Sequence, residues 1–147
     1  MQTLPTRILI VEDNSDDVTL LLRQLKKAQL HQQVRVIEDG GIAMDYLTDA
    51  QSKCESLVAV FLDLSLPNVS GLQILEGIRS IERIRHLPVV LMTSSTSPVD
   101  FNECRRLGVS SYVSKPVSFS AFAKAVADTF HSRRDAAPTF PLMPDKN

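Results

Sequence analysis

Five short apolar runs, each followed by an amphipathic or polar stretch, constrain this chain more than any other feature. Arg7-Ile8-Leu9-Ile10-Val11 is β-branched and continuous, as a strand buried on both faces of a parallel sheet must be. Gln33–Ile37 (QVRVI) reads as a second strand, Pro88–Met92 as a fourth and Ser110–Ser114 as a short fifth, and Leu57–Leu64 (LVAVFLDL) is the strongest strand signal. Between them lie helical spacings. Val18, Leu21, Leu22, Leu25 and Ala28 recur at three and four residues behind a cap at Asn14 or Ser15. Asp39-Gly40-Gly41 reads as a turn before a short helix over Ile42–Leu47, and the polar segment Thr48–Ser56 reads as a loop. Pro67–Gly71 is a second loop, and Leu72, Leu75, Ile78 and Ile81 mark a third helix. Pro98 suits the first turn of a fourth helix that Gly108 closes. Phe119, Phe122, Ala123, Val126, Ala127 and Phe130 line one face of a long final helix. Alternation of this kind predicts an α/β fold, a doubly wound parallel (βα)5 sheet of flavodoxin-like strand order 2-1-3-4-5.

Several function classes fall away on composition. The 147 residues suit one domain, and 44% hydrophobic with 22% charged residues is ordinary for a globular chain. A net charge of −1 and a pI near 6.3 argue against bulk electrostatic binding to nucleic acid or anionic lipid. No apolar run approaches a membrane span, and Met1–Arg7 lacks the apolar stretch of a signal peptide, so a cytoplasmic location is expected. Cys54 and Cys104 read as free thiols, and His31, His86 and His131 show no zinc-ligand spacing.

In open α/β sheets, ligands bind outside the carboxyl ends of the strands. Those ends carry Glu12-Asp13 after the first strand, Asp63 in the third, Thr93-Ser94 after the fourth and Lys115-Pro116 after the fifth. Taken singly, an acid pair is more often a solvated helix cap, and a loop lysine is more often solvated. Asp63 stands out, because it follows the buried run VAVFL, where a carboxylate needs a partner. As a set the residues are complementary. Three converging carboxylates need a cation, and all-oxygen ligands favour Mg²⁺. A lysine and a hydroxyl beside them suit the oxygens of a phosphoryl group that Asp63 accepts as an acyl phosphate.

The stretches ILIVEDN (8–14), FLDLSLPNVSG (61–71), VVLMTSS (89–95) and YVSKP (112–116) together resemble the receiver domain of two-component response regulators. Four motifs in order and at family spacing cover about 7–131. The resemblance implies roles. Asp63 matches the phosphoacceptor, Asp13 the direct metal ligand, Glu12 the acid that reaches the metal through water, and the Ser65 backbone carbonyl the third protein ligand. Thr93 matches the switch hydroxyl, Tyr112 the aromatic that turns inward on activation, and Lys115 the amine that pairs with Asp63 and then with the phosphoryl group. Ser65 and Ser95 occupy the positions that tune the phosphoryl lifetime, Gly71 sits where the loop needs a small residue, and Pro116 is expected to follow a cis bond. Phe101 and Arg105, four apart on the fourth helix, form with Tyr112 a partner-face candidate, although Phe101 suits the core equally well.

The expected organisation is an N-terminal extension over 1–6, a receiver domain over 7–131 and a flexible tail over 132–147. With no output domain after the receiver, the resemblance implies a stand-alone regulator. It would be a phosphoacceptor switch, not a turnover enzyme, phosphorylated by a sensor histidine kinase with Mg²⁺. Partners on this reading are that kinase and a histidine phosphotransfer protein, with no direct nucleic acid or membrane. The run IERIRHLPVVLMTSS (81–95) and the long loop over 48–56 resemble the small regulators of phytochrome-type kinases, a branch that often forms homodimers. Two rivals remain. A haloacid dehalogenase-type phosphatase needs a second Asp two residues after the nucleophile, where this chain has Ser65. A phosphorylation-independent pseudo-receiver would not need the intact set of Glu12, Asp13, Asp63, Thr93 and Lys115.

Overall fold

A computed structural model describes residues 6–27, 29, 31–66, 68–94 and 101–134. Five strands, β1 (Ile8–Val11), β2 (Val34–Ile37), β3 (Ala59–Asp63), β4 (Val89–Thr93) and β5 (Ser111–Ser114), form one parallel sheet in the order β2-β1-β3-β4-β5. The helices are α1 (Ser15–Lys27), α2 (Gly40–Thr48), α3 (Gly71–Ser80), α4 (Phe101–Arg106) and α5 (Phe119–Arg134). The fold class and strand order expected from the sequence are therefore those observed.

Strand alternation sorts the side chains onto two faces. Ile8, Ile10, Phe61, Val90 and Met92 point to the layer of α1 and α5, where they meet Leu21, Leu25, Phe122 and Ala125. Leu9, Val11, Val60, Leu62 and Leu91 point to the opposite layer, where they meet Ala43, Leu47, Ile74, Ile78 and Cys104 of α2, α3 and α4. The Phe61 and Phe122 rings stack at 4.4 Å, joining the middle strand to the last helix.

Local details depart from the sequence reading in three places. Gly40 and Gly41 are not a turn: Asp39 caps α2 by accepting from Ile42 N at 2.9 Å, and both glycines lie in the first turn. A Cβ on Gly40 would strike the backbone and Cβ of Val69, so this position is a close approach between α2 and the β3–α3 loop. The 48–56 segment contains two 3₁₀ turns, Ala50–Ser52 and Cys54–Ser56. On α5 the buried positions include Phe122 and Ala125, with Ala121 and Val126 half-buried, whereas Ala123 and Ala127 are exposed. The expected face therefore holds at Phe122 and Val126 but takes Ala121 and Ala125 in place of Ala123 and Ala127, since a methyl side chain forfeits little by facing water. The side chains of Phe119 and Phe130 lie outside the described residues. Gly108 does close α4, at φ +75°, while Pro98 and most of the 132–147 tail lie outside the described residues.

The half-buried Arg79 is a tie between connections. Its guanidinium donates to the carbonyls of Leu107 (2.6 Å), Gly108 (3.0 Å), Arg85 (2.9 Å) and Leu87 (2.7 Å). Burial pulls its pKa below the usual arginine value. The side chain holds the end of α3 against both the α3–β4 and the α4–β5 connections. Arg79→Met should lower stability by about 2 kcal/mol, because four carbonyls, two of them part-buried, lose charge-assisted donors. Urea unfolding, read as a shift in midpoint at constant slope, checks it.

Candidate phosphoryl-acceptor site

The site is built where parallel strands end. β1 delivers Glu12 and Asp13 just past Val11, and β3 delivers Asp63 as its last residue. Asp63 pairs in register with Met92, so Thr93 falls one step further along the neighbouring strand. Thr93 pairs with Ser114, and Lys115 follows, its backbone N–H donating to the Thr93 carbonyl at 2.7 Å. The Lys115–Pro116 peptide is cis, as expected.

Glu12 is fully buried and Asp63 is 2% exposed, whereas Asp13 is exposed. One carboxylate oxygen from each lies within 4.8 Å of the others. Lys115 Nζ donates to Glu12 Oε1 at 2.9 Å and to Asp63 Oδ2 at 3.1 Å, and lies 3.3 Å from Asp17 Oδ2. Asp17 was not among the residues singled out in the sequence. It sits in the first turn of α1, whose cap is Asn14: Asn14 Oδ1 accepts from Asp17 N at 3.0 Å. An acid in a helical first turn has an ordinary helix-dipole explanation, which hides its second role. The remaining acceptors are occupied from the backbone. Asn14 N donates to Glu12 Oε2 at 3.1 Å, and Ser65 N donates to Asp63 Oδ1 at 3.0 Å.

Three acids therefore contact one ammonium, and Asp13 stands beside two of them. Burial is the first reason that the Glu12 pKa rises from 4.5 to about 7, and its hydrogen-bonded neighbour Asp63 is the second; Lys115 and Asn14 pull the other way. Burial works against the Lys115 charge, but the bond to Glu12 and the charges of Asp63 and Glu12 outweigh it, holding its pKa above the usual lysine value. The cluster is short of positive charge, and its donors are hard oxygens at one mouth. That set fits a Mg²⁺ ion that keeps some of its waters.

A pH dependence follows. Glu12 has a raised folded pKa, so the unfolded chain sheds that proton first. The metal-free protein should lose stability as pH rises from about 4.5 to about 7, with no such slope below. Lys115, whose folded pKa is also raised, gives a slope of the same sign, but only above the ordinary lysine range. Metal binding needs the ionised carboxylate, so apparent Mg²⁺ affinity should climb across pH about 6 to about 8. Thermal melts with and without Mg²⁺ across that range test both slopes.

Of the other expected site residues, Ser65 lies in the turn after β3 and Thr93 is half-buried at the mouth. Tyr112, in register with Leu91, is half-buried against the α2–α3–α4 core layer, and burial, with Cys104 next, lifts its phenol to about 12. Arg105 is exposed on α4, and Phe101 opens that helix. Ser95 lies outside the described residues.

Comparison with known proteins agrees with this geometry. Residues 8–127 match the model of the response regulator receiver domain family. The chain is 37% identical over 125 residues to the probable methanogenesis regulatory protein FilR2 of Methanothrix harundinacea (strain 6Ac), covering 84% of this chain and 81% of that protein. Among solved structures it is similar to the bacteriophytochrome response regulator AtBRR, at 37% identity and TM-score 0.72 over 99% of this chain and 100% of that one. It is also similar to the bacteriophytochrome response regulator RtBRR, at 35% identity and TM-score 0.73 over 98% and 85%. Among the described residues no helix is long and apolar enough to cross a membrane.

Proposed function

The chain belongs to the response regulator receiver family, and from that premise we propose that it is a phosphoacceptor switch in which Asp63 takes a phosphoryl group from a sensor histidine kinase. The observation that carries the reading is the placement of Asp63: a buried carboxylate at a strand end, held by Lys115 at 3.1 Å and within 4.8 Å of Glu12 and Asp13 oxygens. Glu12, Asp13, Asp63 and the Ser65 carbonyl would hold Mg²⁺. When bound, the ion supplies positive charge against the phosphoryl oxygens.

The protein's own groups do the rest. An Asp63 oxygen donates its electron pair to phosphorus as the bond from phosphorus to the kinase imidazole nitrogen breaks, leaving an acyl phosphate and a neutral histidine. Lys115 exchanges a carboxylate partner for a phosphoryl oxygen, keeping its charge neutralised throughout. The Thr93 hydroxyl donates to a second oxygen. Movement of Thr93 toward the phosphoryl group frees space that Tyr112 fills, carrying the change to the face of α4, β5 and Arg105. Output is by protein contact or by onward transfer to a histidine phosphotransfer protein. Similarity to bacteriophytochrome regulators over nearly the whole chain favours a phytochrome-type kinase as donor and a homodimer as the assembled form.

Phosphotransfer from a radiolabelled phytochrome-type histidine kinase tests the donor. Label should move to this chain within the lifetime of the phosphokinase and should fail with Asp63→Asn. Transfer from unrelated kinases only would refute the phytochrome assignment while leaving the acceptor chemistry in place. Lys115→Met should slow transfer by at least about tenfold, the effect of losing one charge-assisted contact in the transition state.

A further inference from the structure

The opposite end of the sheet holds a second polar cleft. Thr6 lies two residues before β1, Ser56 lies three before β3, and Tyr46 is in the last turn of α2, which runs back across the sheet. Together with Arg35 of β2 and Ser52 and Lys53 of the long loop, they surround a cleft of about 450 Å³. That volume lies within the usual range for small-ligand sites, roughly 300–1,000 Å³. Among the described residues no carboxylate lines it, and neither Arg35 nor Lys53 has an ion-pair partner. The Arg35 guanidinium lies 5.0 Å from the centre of the Tyr46 ring, which orients the fork by cation–π attraction.

The loop that completes the cleft is fastened in place. The Cys54 thiol is buried and donates to the Tyr46 carbonyl at 3.3 Å. Arg83 reaches from the α3–β4 connection to the Thr48 carbonyl at 3.1 Å and to Glu55 at 3.5 Å. Lys53 links the two 3₁₀ turns at φ 57° and ψ 43°, a left-handed conformation that glycine or asparagine adopts with less strain. A lysine in that position brings an ammonium to the cleft where a neutral residue would suit the backbone better.

We propose that this cleft is a second binding site, for a small phosphoryl-bearing metabolite, distinct from the Asp63 mouth and at the other end of the sheet. A phosphoryl group has several outer oxygens. The planar Arg35 fork can take two of them, and Lys53 supplies a point charge. The Ser52 hydroxyl adds a neutral donor of the kind that such sites use for orientation, while the Ser56 hydroxyl donates to the Lys53 carbonyl at 2.9 Å and steadies the loop. The site stands independently of the phosphoryl acceptance proposed for Asp63.

Inorganic pyrophosphate is a suitable probe, titrated without divalent metal into the ¹⁵N-labelled full chain. Saturable amide shifts are expected at Arg35, Gln51, Ser52, Lys53 and Ser56. The double variant Arg35→Gln/Lys53→Asn should weaken the probe by at least about tenfold. Both side chains are exposed and Asn tolerates the left-handed backbone, so its melting temperature should match the wild type. Failure to saturate at millimolar probe, shifts confined to the surroundings of Lys115, or equal affinity in the double variant would overturn the proposal. Saturable binding of citrate in place of pyrophosphate would overturn the phosphoryl assignment.

Discussion

Asp63→Asn should reduce phosphoryl incorporation from acetyl phosphate and Mg²⁺ to background while leaving the fold intact. The amide has nearly the volume of the carboxylate, so the packing behind it, Phe61 on Phe122, is undisturbed. It still accepts from Ser65 N, and Lys115 keeps Glu12 and Asp17 as partners. What disappears is the nucleophile, since an amide oxygen does not form an acyl phosphate under these conditions. Removing one of four crowded acids also relieves Glu12. Its pKa should fall toward the ordinary carboxylate value, and the variant should melt at the wild-type temperature or slightly above it at neutral pH. Labelled phosphate measured after rapid desalting, beside a thermal melt, reads both parts. Incorporation equal to the wild type would place the acceptor elsewhere.

Gly71→Ala should be the most damaging small substitution near the site. Gly71 opens α3 directly behind Asp63. A Cβ there would meet the Asp63 carbonyl oxygen, would lie 2.8 Å from Leu64 Cα and would lie 3.0 Å from the Asp63 carbonyl carbon. All three obstacles are backbone, so no side-chain rotation relieves them. The chain must shift either the start of α3, with its Ser70–Gln73 capping box, or the turn that carries Asp63 and Ser65. Overpacking of this type typically costs about 1–3 kcal/mol, and rigid surroundings put this case at roughly 3 or more. For a domain of this size that is a fall in Tm of roughly 10 °C. A variant that does fold should also bind Mg²⁺ more weakly, because the turn that presents the carboxylates has moved. Melting within a degree or two of the wild type would show that the turn is looser than its contacts indicate.

The three central strands were legible because β1, β3 and β4 each carry a continuous apolar run of four residues, the pattern of a sheet covered on both faces. The edge strands β2 (VRVI) and β5 (SYVS) were legible from their β-branched and aromatic residues and their place in the alternation. The candidate site was legible for a related reason. Acids, a hydroxyl and a lysine placed directly after such runs must converge at one edge of a parallel sheet. Contacts made across the chain were not legible. Arg79 and Arg83 look like solvated charges until their carbonyl partners, many residues away, are in place. Asp17 looks like a helix first-turn acid until Lys115 arrives from β5. Gly40 and Gly41 carry turn propensity, and only the approach of Val69 explains a glycine inside α2. On α5 the large residues Phe122 and Val126 were read correctly, but the alanines were not, because alanine packs inside or faces water with little difference in free energy.

The most direct test of the central claim is to map the phosphorylated residue. Wild-type protein is incubated with acetyl phosphate and Mg²⁺, reduced with borohydride, digested and sequenced by mass spectrometry. Reduction converts an aspartyl phosphate to homoserine. Homoserine at position 63, absent when the metal is chelated, is the predicted result. Homoserine at position 13, or at neither position while Mg²⁺ is bound, would contradict the assignment of Asp63 as phosphoacceptor.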